Sequence, residues 1–215
     1  MPWQVDETAR QIIPDLFPSL AYVPVRTAAN GNNCFNAASL VMCHSQQQAT
    51  ELRLCTCIEL ALNRDFYKQH PVVNQAHIPY HSRKHGDGTM SIPTLFDIAR
   101  FAAESSKVYQ MQGFEAAFDN KIMRTSINYS YSGTLQIMGL TSVLEEGHKL
   151  LPIYQNTFHP RKALGKGVVR IMGSNINGWP DKRKEFIVNH FVPIFQQHHP
   201  TLPLNDQFKA EMDGE

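Results

Sequence analysis

One stretch constrains this chain more than any other: Asn30-Gly31-Asn32-Asn33-Cys34-Phe35-Asn36-Ala37-Ala38-Ser39-Leu40. A polar, glycine-containing loop runs straight into small and apolar residues. Asn and Gly tolerate turn and left-handed backbone. Asn32 or Asn33 can cap a helix whose apolar positions are Phe35, Ala38, Leu40 and Val41. A cysteine at such a helix start sits where spare backbone N–H groups and the positive end of the dipole favour a thiolate. The same N–H groups can hold an oxyanion. Cys34 therefore has the setting of a nucleophile, although a lone cysteine near a helix start is more often a small buried filler.

The rest of the chain sets bounds on this reading. Its 215 residues suffice for one domain with a sizeable core. Lys and Arg number 20 against 19 Asp and Glu, so there is no basic field for nucleic acid. Only 18% of residues are charged and 42% are hydrophobic, which fits a folded domain and not a disordered one. No apolar run reaches membrane-spanning length, and the N-terminus lacks a basic-then-apolar leader pattern. Cys34, Cys43, Cys55 and Cys57 do not form a disulfide framework, so a cytoplasmic or nuclear location is expected. Cys55 and Cys57 are too close for the usual zinc spacing. No metal and no cofactor is expected, and the domain is expected to be a monomer.

In chain order, residues 1–19 read as an N-terminal helical segment and 20–195 as the main domain. Residues 196–215 read as a frayed tail. Leu20 to Val25 is a short strand, with Pro24 placing it at an edge. Helices are expected over 34–45 and 48–69, the second with Leu52, Cys55, Ile58, Leu62 and Phe66 on one face. Residues 71–90, with His77, His81 and His85, read as an insertion loop in preference to a metal site, because no Cys or carboxylate pattern completes a ligand set. Further helices are expected over 91–104, 112–124 and 134–146, the last closed by Gly147. Strands are expected at 150–154, 168–172 and 186–195. Helices first and strands later suggest one α/β (α+β) domain, a small central sheet flanked by helices.

His190 lies inside the last apolar strand. A lone strand histidine is usually structural, yet a neutral imidazole on a rigid strand can serve as base for a thiol at a helix start. Here the chain resembles the ovarian-tumour (OTU) class of cysteine proteases, and within it the vertnin-type branch. The residues that carry the likeness are Asn30 to Ser39, Glu51-Leu52-Arg53, Asn63 to Tyr67, Met138 to Leu144, Pro152-Ile153-Tyr154, Val169 to Met172 and Asn189 to Pro193, in order and spacing. The resemblance implies a single OTU-like, papain-like cysteine protease fold over 20–195. It implies a deubiquitinase whose partner is ubiquitin or polyubiquitin. Cys34 would attack, His190 would act as base, and Gly31, Asn32 and Asn33 would supply the oxyanion loop.

Two departures divide the reading. Aligned without a gap, the family's catalytic cysteine falls on Asn33, and an amide cannot be a thiol nucleophile. The position before the glycine, often acidic in the family, is Asn30, and Val192 stands where many members orient the histidine. Asn30 and Asn189 remain as candidates to orient His190. Three alternatives stay open. Cys34 takes over through a changed loop path, the domain is an inactive ubiquitin-binding relative, or Asn33 is an introduced inactivating substitution. A DNA-associated regulator, also suggested by vertnin-like chains, is disfavoured by the near-zero net charge.

Overall fold

The structure, a computed structural model, describes residues 3–11, 13, 22–70, 112–130, 132–144, 147–151, 157–158, 161, 168–174 and 190–196. The elements in chain order are helix α1 (Glu7–Arg10), strand β1 (Tyr22–Pro24) and helices α2 (Asn33–Cys43), α3 (Ala49–Leu62) and α4 (Arg64–Gln69). Helix α5 (112–125) and helix α6 (Thr134–Leu144) follow, then strands β2 (Gly147–Leu151), β3 (Thr157–Phe158), β4 (Val168–Ser174) and β5 (His190–Gln196).

The five strands form one mixed sheet in the order β1-β5-β4-β2-β3. β5 runs antiparallel to both β1 and β4, and β2 runs parallel to β4. β1 lies at the edge, where Pro24, lacking an N–H, is tolerated. Alternation along β5 divides the core between the sheet's two faces. Phe191 joins Val169 and Ile171 in the larger cluster with α2, α3 and α6. Val192 and Ile194 join Met172, Ala9 and Ile13 on the face covered by the N-terminal segment. That segment is bound to the sheet by a Val5–Val25 bridge and by the Asp6 N–H, which donates to the Pro24 carbonyl at 2.9 Å. Trp3 packs on Phe195 and His44.

Every residue of α2 from Asn33 to Leu40 is buried, and the small residues Ala37, Ala38 and Ser39 let neighbours approach it. At its end His44 adopts a left-handed conformation (φ 55°) and closes the helix with a hydrogen bond to the Leu40 carbonyl.

Several elements differ from the sequence reading. The expected helix over 48–69 is two helices, broken at Asn63, whose side chain turns back to the Glu59 carbonyl. Its inner face is also different. Ala49, Arg53, Thr56 and Leu60 are buried, while Leu54, Ile58, Leu62 and Phe66 are exposed. Steric fit selects this side: Gly139 of α6 lies so close that an added Cβ would meet Leu60 and Thr56. Gly147 opens β2 instead of closing the preceding helix, which ends at Leu144. The strand expected at 150–154 begins earlier, at Gly147, and Pro152 to Tyr154 lie outside the described residues. So do the histidine-rich stretch 71–90, the expected helix 91–104 and the tail beyond Gln196.

Candidate functional site

α2 begins where the chain turns sharply at Gly31, whose φ of +73° favours glycine. A Cβ there would fall on the backbone of Tyr129, itself left-handed at φ 65°. The loop is held by asparagines. Asn30 Oδ1 accepts from the Asn32 N–H at 3.1 Å and from Asn36 Nδ2 at 3.0 Å. Asn32 occupies the N-cap position, but its side chain does not cap. It reaches across instead: Oδ1 accepts from the Tyr129 N–H at 3.3 Å and Nδ2 donates to Asn128 Oδ1 at 3.4 Å. The intrahelical ladder starts with the Asn36 N–H donating to the Asn32 carbonyl, so the N–H groups of Asn33 to Phe35 stand ahead of that ladder.

The side chain that meets the histidine is that of Asn33. Its Nδ2 lies 3.2 Å from His190 Nδ1. An amide nitrogen can only donate, so Nδ1 is the accepting nitrogen and Nε2 carries the proton. On the Nε2 side stand Asp6 Oδ2 and Thr27 Oγ1, each at 3.5 Å. Thr27 spends its own proton on the Phe191 carbonyl at 2.7 Å, which leaves its oxygen to accept. Asn33, His190 and Asp6 are all buried. Burial pushes the Asp6 carboxyl up, but hydrogen bonds from His190 and from the Ala9 N–H outweigh it. With the positive charge of Arg26 they hold the carboxyl below its ordinary value.

Cys34 is one residue further along the helix, about 100° around its axis. It is fully buried in the larger apolar cluster beside Phe35 and Ala38. Asn30 is engaged with the loop and α2, and Asn189 lies outside the described residues. Of the sequence candidates, then, Asn33 and His190 come together, with Gly31 and Asn32 forming the loop beside them.

The residue that sequence reasoning missed is Asp6. It precedes His190 by 184 positions (190 − 6) in a segment set apart from the domain. Its one local signal was that of a helix cap, Asp6 before Glu7-Thr8-Ala9, and it does cap: Oδ1 accepts from the Ala9 N–H at 2.8 Å. The other oxygen is thereby directed to the imidazole. Among the described residues no three His, Cys, Asp or Glu side chains gather as a metal site would require. All four cysteines are unbridged. No described helix is long and apolar enough to cross a membrane.

The chemistry of this arrangement is asymmetric. His190 is oriented on one ring nitrogen by a carboxylate and a hydroxyl, the support a general base needs. On the other nitrogen, where a thiol would deliver its proton, stands an amide with no proton to give up at ordinary pH and no nucleophilic lone pair.

The sequence model of the vertnin OTU domain matches residues 24–174, well over half of the chain. Neither Asp6 nor His190 falls inside that match. Three solved OTU domains align along most of the chain. The OTU domain of OTUD1 is 12% identical with a TM-score of 0.46, over 88% of this chain and 93% of that one. The OTU protease of Farallon virus is also 12% identical, with a TM-score of 0.44 over 86% and 89%. The Hazara virus OTU, solved bound to ubiquitin, is 11% identical with a TM-score of 0.38 over 83% of each chain. No curated protein matches the chain.

Proposed function

We propose, because this chain belongs to the vertnin OTU-domain family, that it is a ubiquitin-directed OTU domain that binds ubiquitin or polyubiquitin without hydrolysing it. One observation carries this reading: the side chain 3.2 Å from His190 Nδ1 is the amide of Asn33. Thiol proteolysis begins with a sulfur that transfers its proton to imidazole and attacks the carbonyl carbon. With Asn33 in that place His190 has no proton to accept and nothing to activate. Cys34 does not replace it on this reading, since its side chain belongs to the apolar cluster under the helix.

The alternative, a working deubiquitinase that uses Cys34 and His190, is separated by a ubiquitin probe carrying a C-terminal electrophile. The chain as it stands should bind ubiquitin in titration and remain unlabelled by the probe. Asn33→Cys should become labelled, and His190→Ala added to it should remove the labelling. Labelling of the unaltered chain that Cys34→Ala abolishes would refute the proposal. A cytoplasmic or nuclear setting, where ubiquitin conjugates occur, follows from the same reading.

A further inference from the structure

We propose that Arg53 is the positioning residue of this site: its guanidinium fixes the Gly31 carbonyl and so aims the N–H groups of the helix start. Arg53 is fully buried. Nη2 donates to the Gly31 carbonyl at 2.9 Å and to the Ser130 carbonyl at 2.8 Å. Nη1 donates to the Thr125 and Ile127 carbonyls, both at 3.1 Å. The guanidinium carbon lies 4.6 Å from the ring centroid of Phe35, two residues into the helix from Asn33. One rigid planar group thus joins the 125–130 turn, the loop at Gly31 and the first turn of α2. No flexible ammonium could span four carbonyls in two segments in this way. A peptide plane is rigid, so holding the Gly31 carbonyl also holds the Asn32 N–H on the same plane, which donates to Asn30 Oδ1, and thereby fixes where the helix and its first N–H groups begin. Asn32, bonded to Asn128 and Tyr129, ties the same loop to the same turn from the outer side. Arg53 spends its hydrogen bonds on the carbonyls of the loop and the turn and acts on the site through the loop.

This rests on the reading of the loop as the oxyanion side of an OTU site, and the experiment keeps the two separable. Arg53→Lys retains the charge and loses the fork. It would be made in the unaltered chain and in Asn33→Cys. In Asn33→Cys, hydrolysis of a ubiquitin C-terminal amide should lose about 10²-fold in kcat, the effect of a small misplacement of reacting groups, with KM within about twofold because the distant ubiquitin surface is untouched. In the unaltered chain, amide hydrogen exchange at Gly31 to Asn33 should quicken while exchange in β4 and β5 stays the same. Unchanged kcat together with unchanged loop exchange, with only a lower Tm, would reduce Arg53 to a structural residue and overturn the proposal. Should Asn33→Cys show no turnover at all, the reading of the loop as an oxyanion side fails, and loop exchange alone decides for or against Arg53. If Arg53→Lys does not fold, Phe35→Leu removes the face on which the guanidinium rests. It should shift the same readouts in the same direction, and no shift would count against the proposal.

Discussion

The helix start and the strand that meet at His190 have kept different things. On the strand side stand an imidazole, a buried carboxylate from the N-terminal segment and a hydroxyl, arranged as a base and its support. On the helix side the sharp turn, the asparagine-laced loop and the first N–H groups of the helix are in place, but an amide stands at the tip. If Asn33 stands where a thiol would, as we propose, the difference teaches that the scaffold of a thiol site does not depend on its thiol. The loop is fixed from behind by Arg53 and across by Asn32, and His190 is fixed by Asp6 and Thr27. Asn33 adds a hydrogen bond to the ring instead of leaving it bare. A change from thiol to amide can therefore remove chemistry while preserving the fold and any surface around the site.

The sharpest way to break this contrast is to restore the thiol. Asn33→Cys should convert an inert chain into one that reacts with a ubiquitin C-terminal electrophile, a gain from baseline. Removing His190 from that variant should return it to baseline, a loss of about 10²–10⁴-fold if the imidazole acts as general base. Intact-mass spectrometry of the adduct checks both. Failure of Asn33→Cys to react, in a folded protein, would mean that the helix side is altered beyond one residue.

The loop itself should be less forgiving than the residue it presents. Gly31→Ala forces a Cβ onto the Tyr129 backbone at a left-handed φ. The backbone penalty and the overlap together should cost about 3 kcal/mol or more, read by urea denaturation. Gly139→Ala, which meets only the side chains of Leu60 and Thr56, should cost less, about 1–3 kcal/mol.

On the strand side, Asp6 couples stability to pH. Its carboxyl lies below its ordinary value in the folded chain. Its contribution is present above the unfolded value of about 3.9 and is lost as pH falls through the folded value. The stability gap between the unaltered chain and Asp6→Asn should thus be full at neutral pH and close in acid. Asp6→Ala also removes the α1 cap, a cost of about 1 kcal/mol. Thermal melts at neutral and acid pH would show both. A gap that widens in acid would contradict the assignment of Asp6 as the ionised partner of His190.

Much of the fold was legible because strong patterns dominate it. The apolar runs around Val169 and Phe191 become strands β4 and β5, and the small-residue run after Asn33 becomes a helix buried from Asn33 to Leu40. Arg53 was not legible. Apolar periodicity assigned Ile58 and Leu62 to the expected inner face, and both are exposed. The fold instead turned inward the side that could accept both a close glycine contact and four carbonyls awaiting a donor. Periodicity weighs hydrophobicity and is blind to backbone acceptors in a distant turn. Asp6 was missed for a related reason: a cap is a local signal, whereas its second oxygen serves a residue at the other end of the chain. Asn33 was legible only through alignment to a family motif, and its contact with His190 required the fold.

The smallest expected effect separates the two adjacent residues of the helix start. Cys34 and Asn33 are neighbours in sequence, but the helical rotation between them directs one to the apolar cluster and the other to the imidazole. Cys34→Ala removes one buried sulfur from the apolar cluster, within electrostatic reach of Arg53, and is expected to leave the carbonyl contacts of Arg53 and the position of His190 unchanged. Such a truncation should cost about 1 kcal/mol, the transfer term of one small group plus a minor cavity. It should leave ubiquitin binding unchanged, and in the Asn33→Cys background it should leave the labelling rate unchanged too. If Cys34→Ala slowed labelling of Asn33→Cys tenfold without loss of stability, the thiol at 34 would be sharing in the chemistry. The helix side would then hold a displaced nucleophile and not a missing one.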